Sequence, residues 1–324
     1  MRSFEDRLAV RERVPLLIGL IGPSGGGKTF SAHRLAAGIQ RVTGGDIYMI
    51  DTEARRGLHY ADRFKFRHLE FRAPFGSLDY LAAINHCARK GAGVIIIDSQ
   101  SHEHAGDGGH LDQHEAEVAR MLSAWKNSTR DSVQMPAWAK PKADRQRLIN
   151  TILQTPCNFI FCFRAKEKVK LSTKEEKAGG EKAVQQLGWM PIAGEEFVFE
   201  MTVNGLLLPG AGGVPTWIGA EAGEKRMIKL PEQFRKLLLE HKGPLDEQLG
   251  ETMATWAAGD VAVAVPTGDE LDQVLVAFAR AASVEEVERV AADNRGKRWS
   301  KEHTHRIRVA KIERTESLAP KGAS

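Results

Sequence analysis

The sequence predicts an α/β fold built on a mostly parallel, doubly wound sheet. Three observations predict it. Short apolar runs of strand length alternate with helical patterns over residues 12–165. Those runs are apolar throughout, as strands covered on both faces are. A glycine-rich turn, Gly22-Pro-Ser-Gly-Gly-Gly-Lys-Thr29, joins the first run to the first helical pattern.

The first strand is expected over Leu16–Ile21. The helix after the turn is expected over Lys28–Arg41, because Ala32, Leu35, Ala36 and Ile39 fall on one face. Asp46–Asp51 reads as a second strand, Leu81–Arg89 as helix and Val94–Asp98 as a third strand. Glu115–Lys126 and Lys142–Thr155 have helical spacing, and Asn158–Arg164 is a fourth strand. Beyond Arg164 the texture changes. Lys166–Gln186 is polar and lysine-rich around Gly179-Gly180, which predicts a mobile loop. Residues 196–229 suggest short strands between Gly/Pro turns, giving a small β-extension of about 166–230. Glu232–Ala258 returns to helix and closes a core of residues 1–258. Residues 259–269 read as a linker, and 270–324 as a small basic helical module. Its helices are expected near 270–282, from the Ser283-Val-Glu-Glu286 capping box onward, and over about 300–317.

Composition excludes some classes. The 324 residues are 42% hydrophobic and 27% charged, which a largely disordered chain is not. No apolar run approaches the ~20 residues of a membrane-spanning helix, so no membrane association is expected. The charged N-terminus has no secretory pattern. Cys87, Cys157 and Cys162 suit neither a disulfide framework nor a zinc site, and fit a cytoplasmic chain. Lysine and arginine exceed aspartate and glutamate by 46 − 42 = 4. Residues 295–324 carry nine basic and three acidic side chains, a net +6, so the preceding residues sum to −2.

The strongest chemical signal is Gly22-Pro23-Ser24-Gly25-Gly26-Gly27-Lys28-Thr29. It satisfies G-x-x-x-x-G-K-[ST] in the strand-to-helix context a P-loop needs. Glycines let backbone N–H groups face phosphates, Lys28 reaches the β- and γ-phosphates of ATP, and the Thr29 hydroxyl meets Mg²⁺. Asp98 ends an apolar strand in the Walker B position, suited to holding the same metal. Ser99 follows it, so a carboxylate that activates water must come from elsewhere. Glu53, just past the second strand, is the first candidate and Glu103 the second.

Together the P-loop, the Ile50-Asp-Thr-Glu53 strand end and the Ile96-Ile-Asp-Ser99 strand end resemble the RecA-type ATPase core. More closely, the run from Gly22 to about Pro215 resembles the P-loop ATP-binding proteins of tailed phages and prophages. Asp98-Ser-Gln-Ser-His-Glu103 and Cys162-Phe-Arg-Ala-Lys-Glu-Lys168 are similar to runs in that group. Some of its members are single-strand annealing or recombination proteins. The resemblance implies a RecA-like P-loop NTPase, with Lys28 and Thr29 on phosphate and Mg²⁺, Asp98 as Walker B and Glu53 as catalytic glutamate. It also implies single-stranded DNA and phage recombination or replication proteins as partners, in a bacterial host's cytoplasm. At the nucleotide sensor RecA has an amide, whereas Arg164 stands near that point here.

Arg164, Lys166 and Lys168 are candidates for sensing nucleotide in cis or for a finger acting on a neighbour's site; a finger requires a homo-oligomer. Lys170 and Lys174 in the lysine-rich segment, and Arg298, Trp299 and Arg306 in the basic tail, are candidate DNA contacts. His102, His104, His110 and His114 cluster in a glycine-rich window. That window reads as a loop over the nucleotide pocket or near DNA, ahead of a zinc site. The leading expectation is a Mg²⁺-dependent ATPase acting on single-stranded DNA. The alternatives are a small-molecule or nucleotide kinase, and a nucleotide-gated assembly or loading factor with little turnover.

Overall fold

The computed structural model describes residues 6, 8–9, 11–171, 184–259, 268–294, 299 and 301–318. Seven strands form the sheet: β1 Leu17–Gly22, β2 Asp46–Asp51, β3 Arg67–Glu70, β4 Ala92–Asp98, β5 Asn158–Leu171, β6 Val184–Pro191 and β7 Val203–Leu206. Their order is β3-β2-β4-β5-β1-β7, all parallel, with β6 antiparallel on the far half of β5. The predicted α/β class and mostly parallel sheet are therefore present.

Side-chain alternation on the central strands supplies two cores. Leu17, Ile21, Ile95, Ile97, Phe159 and Phe161 face one way, toward α2 Ser77–Arg89 and, later in the chain, the helix Ala139–Gln154. Leu16, Ile18, Leu20, Val94, Ile96 and Ile160 face the other, toward α1 Lys28–Thr43 and the helix Glu247–Ala257. Helices on both faces explain why these strands lack polar alternation. Each fully buried Leu, Ile or Phe contributes roughly 1.5–3 kcal/mol. The helix Glu247–Ala257 crosses α1 at glycine: a Cβ on Gly38 would lie 1.9 Å from the Glu247 carbonyl oxygen.

Register determines what meets at the carboxyl ends. Asp51 pairs with Asp98, Asp98 with Cys162, and Gly22 with Arg164. Three strand-end acids or loops and one arginine thus converge at one edge, the place where open α/β sheets bind ligands.

Several expectations are corrected. The strand β3 was not foreseen; of its four residues only Leu69 is apolar, and Arg67 and Glu70 are exposed, so it has no apolar run. The segment from Lys166 is no loop up to Leu171, because Ala165–Leu171 pairs with Val184–Pro191 in an antiparallel ribbon. Backbone pairing supplies there the order that the side chains do not announce. Residues 172–183 lie outside the described residues, and Lys174 with them. In place of several short strands, residues 195–229 contain β7, the helices Glu195–Phe199 and Ala222–Met227, and two isolated bridges. The histidine window is not a loop but two short-linked helices, α3 Ser101–Ala105 and α4 His110–Ala124.

Contacts divide the chain into two compact units. One is Val14–Ala257; the other combines Met1–Arg13 with Ala258–Ser324. The second contains helices Gly268–Arg280, Val284–Asp293 and Lys301–Leu318 around Val274, Phe278, Ala281 and Val287. Ser283 caps its middle helix, accepting from the Glu286 N–H at 3.2 Å. Most of the expected linker, residues 260–267, lies outside the described residues.

Candidate active site

The Gly22–Thr29 loop wraps the opening of α1. Gly27 holds the N-terminal boundary at φ 93°, a left-handed conformation that favours glycine, and a Cβ there would lie 2.6 Å from the Gly213 nitrogen. The Gly26 N–H turns back to the Pro23 carbonyl at 3.4 Å. Lys28 folds over this turn, its ammonium donating to the carbonyls of Gly22 at 2.9 Å and Pro23 at 2.7 Å. Burial lowers the lysine's pKa, while the charges of Asp98 and Glu53 oppose that shift.

One residue further, the Thr29 hydroxyl donates to Asp98 Oδ2 at 2.5 Å. Asp98 is buried, and burial pushes its carboxyl up to about 6 against the hydrogen bond from Thr29. The Thr29 hydroxyl and the buried Asp98 carboxylate are hard oxygen donors side by side. That set fits Mg²⁺, which takes one or two protein oxygens and completes its shell with phosphate and water. Among the described residues no three His, Cys, Asp or Glu side chains converge to form an all-protein metal cage.

Glu53 faces the same cleft. Arg164 grips its carboxylate with two hydrogen bonds, Nε to Oε1 at 2.8 Å and a shorter one from the second guanidinium nitrogen. Arg56 lies 3.9 Å away. The cleft has a volume of about 640 Å³ and is lined by Ser24, Gly25, Lys28, Thr29, Glu53 and Asp98, with Arg164 at its rim. Gly22, Pro23 and Gly26 shape the loop without lining the cavity. A volume of this size accommodates a nucleotide-sized ligand.

Glu103, the second candidate base, is elsewhere. It is buried in an ion pair with Arg145, with bonds of 3.1 and 3.0 Å, and accepts from the Ser77 hydroxyl at 2.5 Å. It does not line the cleft. The four histidines are also accounted for by packing. His102 Nδ1 lies 2.7 Å from Thr52 Oγ1, and His104 Nδ1 lies 3.0 Å from an Arg145 nitrogen. His114 stacks on Trp138 with ring centres 3.8 Å apart, and His110 leans on the same ring.

Sequence reasoning gave no role to Asp51, Thr52, Arg56, His59 or Tyr60. Arg56, His59 and Tyr60 line the cleft. Thr52 ties the Glu53 turn to the end of β4: its N–H donates to the Asp98 carbonyl at 2.9 Å, and its hydroxyl accepts from the Ser99 N–H at 2.7 Å. The one available signal was a strand-ending Asp two residues before a turn, the pattern of a side chain capping its own backbone.

The candidate DNA contacts are dispersed. Lys166, Lys168 and Lys170 alternate along β5, one residue apart, so they share one face of the ribbon. Trp299 is not an open stacking platform: it is half-buried in the module's core and donates to the Asn294 carbonyl at 3.4 Å. Arg306 is half-exposed beside Asp272 at 3.9 Å, and Arg298 lies outside the described residues. No family model matches the chain, and no curated protein matches it. Among the described residues no helix is long and apolar enough to cross a membrane.

Proposed function

We propose that this protein is a RecA-like P-loop ATPase that uses Mg²⁺ and acts on single-stranded DNA in phage recombination or replication. The observation that carries the reading is the Thr29–Asp98 contact of 2.5 Å in a cleft that Lys28 and Glu53 also line. A glycine turn alone would be a weak signal. A lysine, a hydroxyl, a buried acid and a second acid gathered in one cavity suit phosphoryl transfer to water.

Lys28 exchanges its two loop carbonyls for phosphate oxygens and offsets their charge. Thr29 and Asp98 would hold Mg²⁺, whose contribution is to neutralise charge developing on the phosphates. Glu53 accepts a proton from the attacking water. The new P–O bond forms as the bond to the bridging oxygen breaks, and ADP departs with that electron pair. Arg164 holds Glu53 in the nucleotide-free arrangement. A terminal phosphate competes for the same guanidinium, which leaves the carboxylate free to act as base.

The DNA part of the proposal draws on the three ribbon lysines and on the +6 tail. A kinase reading would place its acceptor in the smaller pocket of about 350 Å³ lined by Asp51, Thr52, Arg55 and Arg72, and phosphate transfer from ATP to a small acceptor in place of water would favour it. Calorimetry with Mg·ATP tests the site. Lys28→Ala should lose binding. Glu53→Gln should bind ATP yet turn it over at least about a hundredfold more slowly. Full turnover by Glu53→Gln would contradict the assigned base.

A further inference from the structure

We infer that Asp51, braced by His68, is a positioning residue that sets where the Glu53 carboxylate stands in the cleft. The inference rests on the hydrolysis reading and concerns residues that reading leaves without a task. Asp51 ends β2 with its side chain fully buried. Oδ1 accepts from the Glu53 N–H at 2.8 Å. Oδ2 accepts from the Gly57 N–H at 2.9 Å and faces His68 Nε2 at 2.9 Å. One carboxylate therefore grips both ends of the turn that carries Glu53.

The turn needs holding. Ala54 and Arg55, immediately after Glu53, sit at φ 53° and 68°, two successive left-handed residues without glycine. Such residues persist where the surroundings over-determine them. Both Asp51 oxygens already accept from backbone N–H groups, and His68 presenting Nε2–H gives Oδ2 a second donor. That bond comes from β3, the edge strand, which thereby gains a reason to be where it is. Asp51 lies opposite Asp98 across the β2–β4 pairing. The same short stretch thus references the base to the acid that meets Thr29. An error of about 1 Å in such a group costs on the order of a hundredfold in rate.

Asn at position 51 would keep one acceptor but turn an NH₂ toward a backbone N–H or toward His68. Gln at position 68 can keep a donor near the place of Nε2, whereas Ala cannot. The experiment compares kcat for ATP and Mg·ATP affinity in the full chain for wild type, Asp51→Asn, His68→Ala and His68→Gln, with thermal unfolding in parallel. Asp51→Asn and His68→Ala should lower kcat about ten- to hundredfold and leave affinity within about twofold. His68→Gln should recover most of kcat. Unchanged kcat in both damaging variants overturns the inference, and so does affinity that falls in step with kcat. If Asp51→Asn does not fold, the His68 pair decides by the same criteria. Wild type that binds Mg·ATP without turnover defeats the hydrolysis reading and this inference together. Wild-type turnover indifferent to Asp51 and His68 defeats this inference alone.

Discussion

Asp98 combines two demands that oppose each other. It is nearly excluded from water, and the proposed hold on a divalent cation requires it to be ionised. Burial raises its carboxyl to about 6. The sign follows from linkage: the folded state holds this proton more tightly than the unfolded chain does. The group's contribution to stability is therefore full below about pH 4 and is lost as pH rises through about 6. The difference from the unfolded value corresponds to an upper bound on the order of 2–3 kcal/mol. Asp98→Asn keeps an acceptor for Thr29 and removes the charge. Without nucleotide, the variant should gain melting temperature over wild type as pH rises from about 5 to about 7, and it should lose Mg²⁺-dependent turnover. An advantage that shrinks over that range would contradict the account. In the wild type, Mg²⁺-dependent nucleotide binding should weaken as pH falls below about 6, because proton and metal compete for one carboxylate.

At the scale of elements, Glu103 shows how position in a sequence misleads. It lies five residues after Asp98 and was a reasonable rival to Glu53. In the fold it is on α3, and its carboxylate is held by Arg145 and Ser77 away from the cleft. Arg145 also reaches Glu196, so one guanidinium joins α3, the helix Ala139–Gln154 and the helix Glu195–Phe199. Removing it leaves Glu103 buried without a counter-charge. Arg145→Met should destabilise by about 3–5 kcal/mol in denaturant unfolding while Mg·ATP affinity persists at temperatures where the variant is folded. A neutral substitution would mean the ion pair holds nothing.

The same scale explains what was legible. Strands β1, β2, β4 and the first half of β5 announce themselves because both faces are buried and their interiors are apolar, with polar residues only at their ends. The loop from Gly22 to Thr29 announces itself because phosphate binding demands glycine at fixed spacing. β3 has neither property, since its Arg67 and Glu70 face solvent at the sheet edge. The ribbon was misread because Lys166, Lys168 and Lys170 alternate with residues of mixed character, a pattern equally at home in a loop. The Glu53–Arg164 grip spans more than a hundred residues and depends on β-register, which no local pattern encodes. The roles of Asp51 and Thr52 were hidden because their partners are backbone groups of other strands and turns together with the side chains of His68 and His102, which no local pattern brings near.

At the scale of the whole molecule, the chain separates chemistry from charge. Every residue assigned to phosphate, base or proposed metal lies within Val14–Ala257. Residues 295–324, with their net +6, belong to the other unit. The ribbon lysines follow directly on Arg164 along β5. On the proposed reading, a change in what Arg164 holds would be passed to the ribbon along β5, where the Ile192 N–H on the Arg164 carbonyl at 2.8 Å also ties in the residue after the return strand. On this account nucleotide and DNA affinity are linked, and linkage is reciprocal.

The most direct test of the central claim is steady-state ATP hydrolysis by the full chain at low salt, with and without single-stranded DNA, using Lys28→Ala as the control. The account predicts Mg²⁺-dependent hydrolysis by wild type that rises when single-stranded DNA is added, a rise that fades with added salt, and no hydrolysis by the variant. Hydrolysis that survives Lys28→Ala, or wild type that neither binds single-stranded DNA nor responds to it, would contradict it.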